Sequence, residues 1–141
     1  METRVLFKKN HPDAKVPTRG HEGDAGYDVY AIEDTIIPTY RTVIVPAGIS
    51  IQLPQGYYAE LHPRSSLALR SIYMKIGIID EGYRGDIGAI VIALHTPMEV
   101  KKGERIAQLI LKKREAIEFK EVDTLSKSER GQQGFGSTGQ K

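Results

Sequence analysis

Short apolar runs separated by proline and glycine turns are the feature that most limits how this chain can fold. Turn residues recur at 46–48, 54–56, 81–82 and 102–103, between runs of only a few apolar residues. Such spacing is typical of strands, because proline and glycine set the conformations of tight turns. No long amphipathic segment with a helical period of 3.6 is present. The pattern therefore predicts an all-β fold, namely a sandwich, a jelly roll or a barrel.

The apolar runs predict nine strands, at residues 4–8, 27–31, 42–45, 49–53, 57–62, 76–79, 87–94, 105–112 and 117–122. One short helix is predicted at 65–71, because Pro63 to Ser66 supply turn and N-cap residues ahead of Leu67. A chain of 141 residues has the size of one ordinary domain, so we expect a single core.

Residues 126–141 differ in composition from the rest of the chain. Phe135 is their only large apolar side chain, among glycine, serine, threonine, glutamine and charged residues. Burial of so little apolar surface cannot offset the entropy of ordering the segment. The sequence therefore predicts a folded domain at 1–125 and a mobile tail at 126–141.

Composition excludes several classes of protein. The chain has no cysteine, which rules out disulfides and thiolate metal sites. Its longest apolar run, 87–94, is too short to span a bilayer, and the first residues lack the apolar segment of a secretory signal. We expect a soluble intracellular protein, cytoplasmic by default, that has no membrane contact; nuclear, organellar and viral origins stay open.

A basic run at 112–114 is the one local concentration of positive charge, in a chain whose net charge is only +2. Nucleic acid is a conceivable partner for such a run. A solvated strand end that discourages edge-to-edge pairing is the favoured interpretation, so we expect no stable binding of nucleic acid.

The glycine-rich segment 130–139 carries groups suited to a phosphorylated ligand. Glycines let the backbone approach an anion closely, and Ser137 and Thr138 add hydroxyl donors. Arg130 can fork onto phosphate oxygens, and Phe135 offers a face for stacking on a base. A flexible tail with one incidental aromatic residue is an equally good interpretation of the composition alone.

Two other segments place a charged side chain beside a turn. Arg64 precedes the predicted helix, whose first N–H groups are unpaired and favour anions, although a capped helix with a surface arginine is the alternative. Asp80 follows an apolar strand and can be held rigidly enough to orient water as a general base. A simple hairpin turn at Asp80 is the alternative.

Polar residues also occur inside predicted strands. Asp28 can serve a hydrated Mg²⁺, which binds few carboxylates and keeps several waters, and Gln108 shares a face with two isoleucines. Satisfied polar contacts are the alternative for both. The four histidines lack the spacing of metal ligands, and neither a phosphate-binding P-loop nor a nucleophile elbow is present.

Taken in order, five segments resemble the five motifs of the trimeric dUTP diphosphatase (dUTPase) family. They read AGYDVYA at 25–31, PRSSLA at 63–68, GIIDEGYRGDI at 77–87, GERIAQL at 103–109 and RGQQGFGSTG at 130–139. The resemblance implies a distorted jelly-roll homotrimer that uses Mg²⁺ to hydrolyse dUTP to dUMP and pyrophosphate. This activity keeps uracil out of DNA and supplies dUMP for thymidylate synthesis.

The resemblance also implies active sites shared between subunits. One chain supplies Asp28, Arg64, Ser65, Ser66 and Gln108, and Asp28 reaches through water a Mg²⁺ held mainly by the substrate phosphates. A second chain supplies Asp80, which orients the attacking water, and Tyr83, which packs under the sugar and rejects a 2′-hydroxyl. The third contributes the tail, whose substrate-binding residues are Arg130, Phe135, Gly136, Ser137 and Thr138. The uracil edge is read by backbone groups of the hairpin that leads into Gly77, and we include Gly77, Ile78 and Ile79 among the substrate-binding residues.

This sequence departs from the family pattern in two places. Ser66 stands where the family more often has glycine, and the segment 69–76 fits only loosely, so we assign no uracil contacts there.

dCTP deaminase is a rival with the same fold, but Ile90 occupies the position of its catalytic glutamate. A non-enzymatic jelly-roll trimer that only binds nucleotides or a partner protein is a second rival. Loss of Asp80 or of the tail would mark it, and both are present.

Overall fold

A computed structural model describes residues 2–136, in which eleven strands and one short helix alternate with turns. The elements are β1 (Leu6–Lys9), β2 (Tyr27–Tyr30), β3 (Thr35–Ile37), β4 (Val43–Pro46), β5 (Ile49–Gln52), β6 (Tyr57–His62), α1 (Ser65–Leu69), β7 (Ile72–Met74), β8 (Gly77–Ile79), β9 (Gly88–Ala93), β10 (Met98–Val100) and β11 (Arg105–Lys113). The prediction of an all-β fold with one short helix is confirmed.

The strands form four antiparallel sheets. The largest has the order β2-β11-β6-β8, and a three-stranded sheet has the order β4-β9-β7. Two smaller sheets pair β1 with β5 and β10 with β3. Most of these neighbours are distant in sequence, as in a jelly roll, where consecutive strands do not simply form hairpins.

The core is built by the alternation of side chains along the strands. In β9, Ala89, Val91 and Ala93 are buried, while Ile90 points outward, which is the two-residue period of a strand with one face on a core. Each buried isoleucine or valine stabilises the fold by about 1.5–3 kcal/mol relative to exposure. Among residues 2–136 no polar or charged side chain is buried, so the chemistry of the protein lies at its surface.

For most predicted strands, both ends lie within two residues of the predicted positions. The strand predicted at 117–122, however, is wrong. Ile117 and Phe119 are exposed there, and no strand runs through the segment. Alternation gives a segment one apolar face but does not supply a neighbouring strand with which to pair. Three strands of three residues each were missed, β3, β7 and β10, because so short a run gives only a weak strand signal.

The helix is also shorter than predicted, and it ends at Leu69 instead of residue 71. Ser71 adopts a left-handed conformation with φ of 57°, which breaks the helical path and turns the chain into β7. The backbone N–H of Arg70 closes the last turn on the carbonyl of Leu67.

After β11 the chain forms neither strand nor helix as far as residue 136, and nearly all its side chains are exposed. The division into a domain at 1–125 and a mobile tail stays a prediction.

No helix among residues 2–136 is long and apolar enough to cross a membrane.

Candidate active site

A cleft of about 420 Å³ lies where three neighbouring strands bring polar side chains together. In the largest sheet, Gln108 of β11 lies opposite Asp28 of β2 on one side and His62 of β6 on the other. Arg64 follows β6 directly, so it comes to the same end of the sheet. The cleft is lined by part of the 20–26 loop and by four side chains, Asp28, Arg64, Arg105 and Gln108. The family resemblance had placed all of these four except Arg105 in one chain's part of the site.

Two arginines face one carboxylate in this cleft. Asp28 Oδ1 lies 4.0 Å from Arg64 Nε, and Asp28 Oδ2 lies 3.6 Å from Arg105 Nε. The Asp28 side chain is only 13% exposed. Arg64 Nε is buried, and no acceptor within residues 2–136 bonds to it. Because buried polar groups are normally paired, this unsatisfied donor indicates a site for an added acceptor such as a phosphate oxygen.

Arg105 was missed by the sequence reasoning, although it lies within the fourth motif. In a regular strand, residues 105 and 108 point to opposite faces. The register of β11 against β2 shifts between Arg105 and Ala107, however, as in a β-bulge. A bulge re-aims side chains, and here it places Arg105 and Gln108 on the same cleft. Nothing in the residue pattern marks this bulge in advance.

Gly26 is required by close packing against the cleft. A Cβ atom at this position would lie 3.1 Å from Gln108 Cβ and 3.3 Å from Gln108 Oε1. A larger residue would therefore displace the Gln108 amide from its present position.

Ser65 and Ser66 lie at the start of α1 with exposed side chains. Arg64 is the N-cap residue, and its side chain makes no capping hydrogen bond. The helix therefore begins at Ser65, as predicted, and Arg64 occupies the N-cap position. Both serine side chains lie beside Arg64 at the exposed surface.

Asp80 and Tyr83 lie at the other end of the same sheet. The register pairs Leu61 with Gly77 and Ala59 with Ile79, so the chain runs towards Tyr58 as it reaches Asp80. Arg64 instead follows the other end of β6, about six residues along the chain from Tyr58. At a rise of about 3.3 Å per residue, the two ends are roughly 20 Å apart. One chain therefore does not bring Asp80 and Arg64 into one site.

The turn after Asp80 is held by its own hydrogen bonds. The Tyr83 N–H donates to the Asp80 carbonyl at 3.0 Å, and the Tyr83 hydroxyl donates to the Asp86 carbonyl at 2.8 Å. The Tyr83 ring lies directly over Gly85, where an added Cβ would be 2.6 Å from the ring Cζ. This packing fixes the half-exposed ring, while the Asp80 side chain stays open to solvent.

Strand β8, which carries Gly77, Ile78 and Ile79, is an edge strand of the largest sheet. Its outer edge faces no other strand within residues 2–136, so backbone donors and acceptors there are free to bind a ligand. The Ile79 side chain is buried, which leaves only its backbone for such a contact.

No hydrogen bond joins the described part of the tail to the cleft or to the Asp80 turn. Phe135 is fully exposed, and Arg130 Nε donates within the tail to the Gln133 carbonyl at 2.8 Å. Gly136 has a left-handed φ of 79°. Ser137 and Thr138 lie outside the described residues.

The side chains of the cleft fit a metal ion that binds together with a phosphorylated substrate. Among residues 2–136, no cluster of three or more histidine, aspartate or glutamate side chains is placed to hold an ion. Asp28 and Asp24 both line the cleft, and Mg²⁺ typically binds one or two carboxylates together with substrate phosphates and water. The donor set therefore fits a hydrated ion carried by a phosphorylated substrate.

Fold and site together define a jelly-roll protein with an arginine-lined anion cleft and a separate aspartate turn. The family model described as dUTPase matches residues 12–139. The chain is 45% identical to the deoxyuridine 5′-triphosphate nucleotidohydrolase of Clostridioides difficile, over 96% of this chain and 97% of that one. It is 44% identical to the enzyme of that name from Corynebacterium diphtheriae, over 96% and 92%. The chain belongs to the dUTPase family.

A solved structure supports the same assignment. The dUTPase of Staphylococcus bacteriophage 80alpha with dUPNHPP superposes with a TM-score of 0.86 at 27% identity, covering 96% of this chain and 98% of that one. The dCTP deaminase alternative gains nothing from the structure, because Ile90 lies opposite Ile44 on an apolar sheet face.

Proposed function

We propose that this chain is a dUTP diphosphatase that hydrolyses dUTP to dUMP and pyrophosphate in sites shared between the subunits of a homotrimer. The observation that carries the proposal is the separation of Asp80 from the arginine cleft within one chain. Two half-sites at opposite ends of one sheet become a complete site when copies pack head to tail, since such contacts can close into a ring. A cytoplasmic location stays a prediction from the sequence.

The reaction needs a base, a held phosphate chain and a leaving group. In the proposed mechanism, Asp80 accepts a proton from a water molecule while the water oxygen bonds to the α-phosphorus. The bond from the α-phosphorus to the oxygen bridging the β-phosphate breaks, and pyrophosphate leaves with that oxygen. Arg64, with its unpaired donor, and Arg105 stabilise the negative charge of the phosphates.

The remaining site residues orient the substrate. Gln108, Ser65 and Ser66 lie beside Arg64 and donate hydrogen bonds to the phosphates, while the β8 edge reads the uracil with backbone groups. When bound, Mg²⁺ would supply further positive charge to the triphosphate, and Asp28 would help to hold it. The tail of a third subunit closes over the ligand and excludes water, through Arg130, Phe135, Gly136, Ser137 and Thr138.

Exposed apolar surface supports the assembly. Ile44, Tyr73 and Ile90 project from the outer face of the β4-β9-β7 sheet and are 62%, 59% and 36% exposed. Contiguous apolar surface of this kind marks protein interfaces. Ile117 and Phe119, beyond β11, are 71% and 91% exposed and suit a segment that packs on a neighbouring subunit.

Three measurements test the proposal together. Purified protein with Mg²⁺ should release pyrophosphate from dUTP and no ammonia from dCTP, and light scattering should give three times the mass of 15.7 kDa. A monomer without activity towards dUTP would contradict the proposal, and ammonia release would identify a deaminase instead.

Tyr83→Ala should weaken the preference for dUTP over UTP by about 10-fold or more, because the ring no longer fills the space that a 2′-hydroxyl needs. The ratio of kcat/KM for the two substrates measures the effect. Gly85→Ala should act in the same direction, since its methyl group displaces the ring without removing it. An unchanged ratio in both variants would remove Tyr83 from sugar selection.

A further inference from the structure

Glu81, the residue after Asp80, makes contacts that the motif roles do not explain. Its Oε1 accepts a hydrogen bond from the Gly56 N–H at 2.8 Å and another from Arg114 Nη2 at 3.1 Å. Its backbone carbonyl accepts a third from Arg84 Nη1 at 2.9 Å. The partly exposed Glu81 side chain therefore joins its own turn to Gly56 and Arg114 through one carboxylate oxygen, Oε1.

Each partner of Glu81 is itself fixed. Gly56 belongs to the 54–56 turn between β5 and β6 and has φ of 86°, which only glycine adopts without strain. Its carbonyl accepts the Arg114 N–H at 2.8 Å, so the Gly56 residue is bound by Glu81 on one side and by Arg114 on the other. Arg114 is the first residue after β11, where the C-terminal segment leaves the sheet.

The Asp80 carboxylate, in contrast, accepts no hydrogen bond from any residue within 2–136. Its placement therefore depends on the backbone of its turn and on whatever fixes that turn to the rest of the fold. The adjacent Glu81 side chain provides the tie to the β5–β6 turn. Catalytic groups lose much of their effect when displaced by about 1 Å, so such a tie matters for turnover.

We propose that Glu81 is a positioning residue that anchors the Asp80 turn to the 54–56 turn and to Arg114, so that the catalytic turn and the C-terminal segment share one fixed point. This inference rests on the proposed role of Asp80 as general base. It predicts that loss of the Glu81 carboxylate lowers kcat more than it raises KM.

The charge state of Glu81 agrees with this geometry. The Gly56 N–H, followed by Arg114, lowers the pKa of Glu81 below its ordinary value, with a smaller contribution from Arg84. A lowered folded-state pKa means that the anchor stabilises the fold above the ordinary pKa and is lost as pH falls through the lowered one. The anchor is therefore intact at neutral pH.

Four variants assayed by pyrophosphate release from dUTP test the anchor. Glu81→Ala should lower kcat about 10-fold with KM changed less than about twofold, because the Asp80 turn shifts while the phosphate cleft stays intact. Glu81→Gln should recover most of kcat, since its amide oxygen can accept both hydrogen bonds. Combining Glu81→Ala with Arg114→Ala should lower kcat little further than Glu81→Ala alone, because the two residues share one contact. Glu33→Ala, an exposed control whose side chain does not line the cleft, should behave as the unmodified protein.

Hydrogen exchange separates this inference from the proposed function. The Gly56 amide should exchange faster in Glu81→Ala and near its original rate in Glu81→Gln, whether or not the protein hydrolyses dUTP. An inactive unmodified protein with this exchange pattern would contradict the proposed function and leave the anchor supported. Unchanged kcat in Glu81→Ala, equal losses in the Gln and Ala variants, or unchanged exchange at Gly56 would each overturn the positioning role.

Discussion

Asp80→Asn should lower kcat about 10²–10⁴-fold while the fold and the oligomer stay intact, because the amide cannot take the proton of the attacking water. The Asp80 side chain is exposed and accepts no hydrogen bond from residues 2–136, so its charge contributes little to folding. Turnover of dUTP, thermal unfolding and light scattering measure the three quantities. KM should change little, since the arginine cleft that holds the phosphates is unaltered.

A matched control distinguishes loss of the base from loss of any carboxylate. Asp34 is exposed, and its Oδ1 accepts the Lys102 N–H at 2.8 Å, a bond that the asparagine oxygen of Asp34→Asn preserves. This control should turn over dUTP at the original rate. Near-normal turnover of Asp80→Asn would mean that another group activates the water.

Removal of residues 130–141 should lower the activity by about 10²–10³-fold or more, because the proposed lid and its proposed donors to the phosphates are lost together. The described part of this segment is exposed, with Phe135 free of any packing, so the deletion should leave thermal stability unchanged. Steady-state turnover and a melting curve on the same preparation measure both effects.

A shorter deletion serves as the control for the tail. A chain that ends at residue 139 keeps the whole glycine-rich motif and should retain activity. If removal of residues 130–141 unfolds the protein, the tail is structural; if it leaves turnover intact, the tail is not a lid.

The fold was largely predictable because most strands carry their own signal. Strand β9 lies within the longest apolar run, after a glycine-containing turn, and this run predicted a strand; its alternation of buried and outward side chains appears only in the structure. Strand β7 and the failed strand at 117–122 show the limits of this signal. The first is only three residues long, and the second has an apolar face but no partner strand among residues 2–136.

The site was predictable as a set of residues but not as an arrangement. The motifs identified Arg64 and Asp80, yet only the register of β6 with β8 places them at opposite ends of one sheet. Arg105 depends on a bulge and Glu81 on a contact with the backbone of a distant turn. Long-range pairing of this kind has no trace in local composition, so sequence reasoning could not find these two residues.

Co-expression of two inactive variants tests the shared site most directly. Asp80→Asn and Arg64→Ala each remove one half-site, and mixed trimers can be purified through two different affinity tags. If each site takes Asp80 from one subunit and Arg64 from its neighbour, every mixed trimer contains one site with both residues intact. Activity should then return to about one third of that of the unmodified trimer. Mixed trimers that stay inactive would contradict the account, because a site built within one chain cannot be restored by a neighbour.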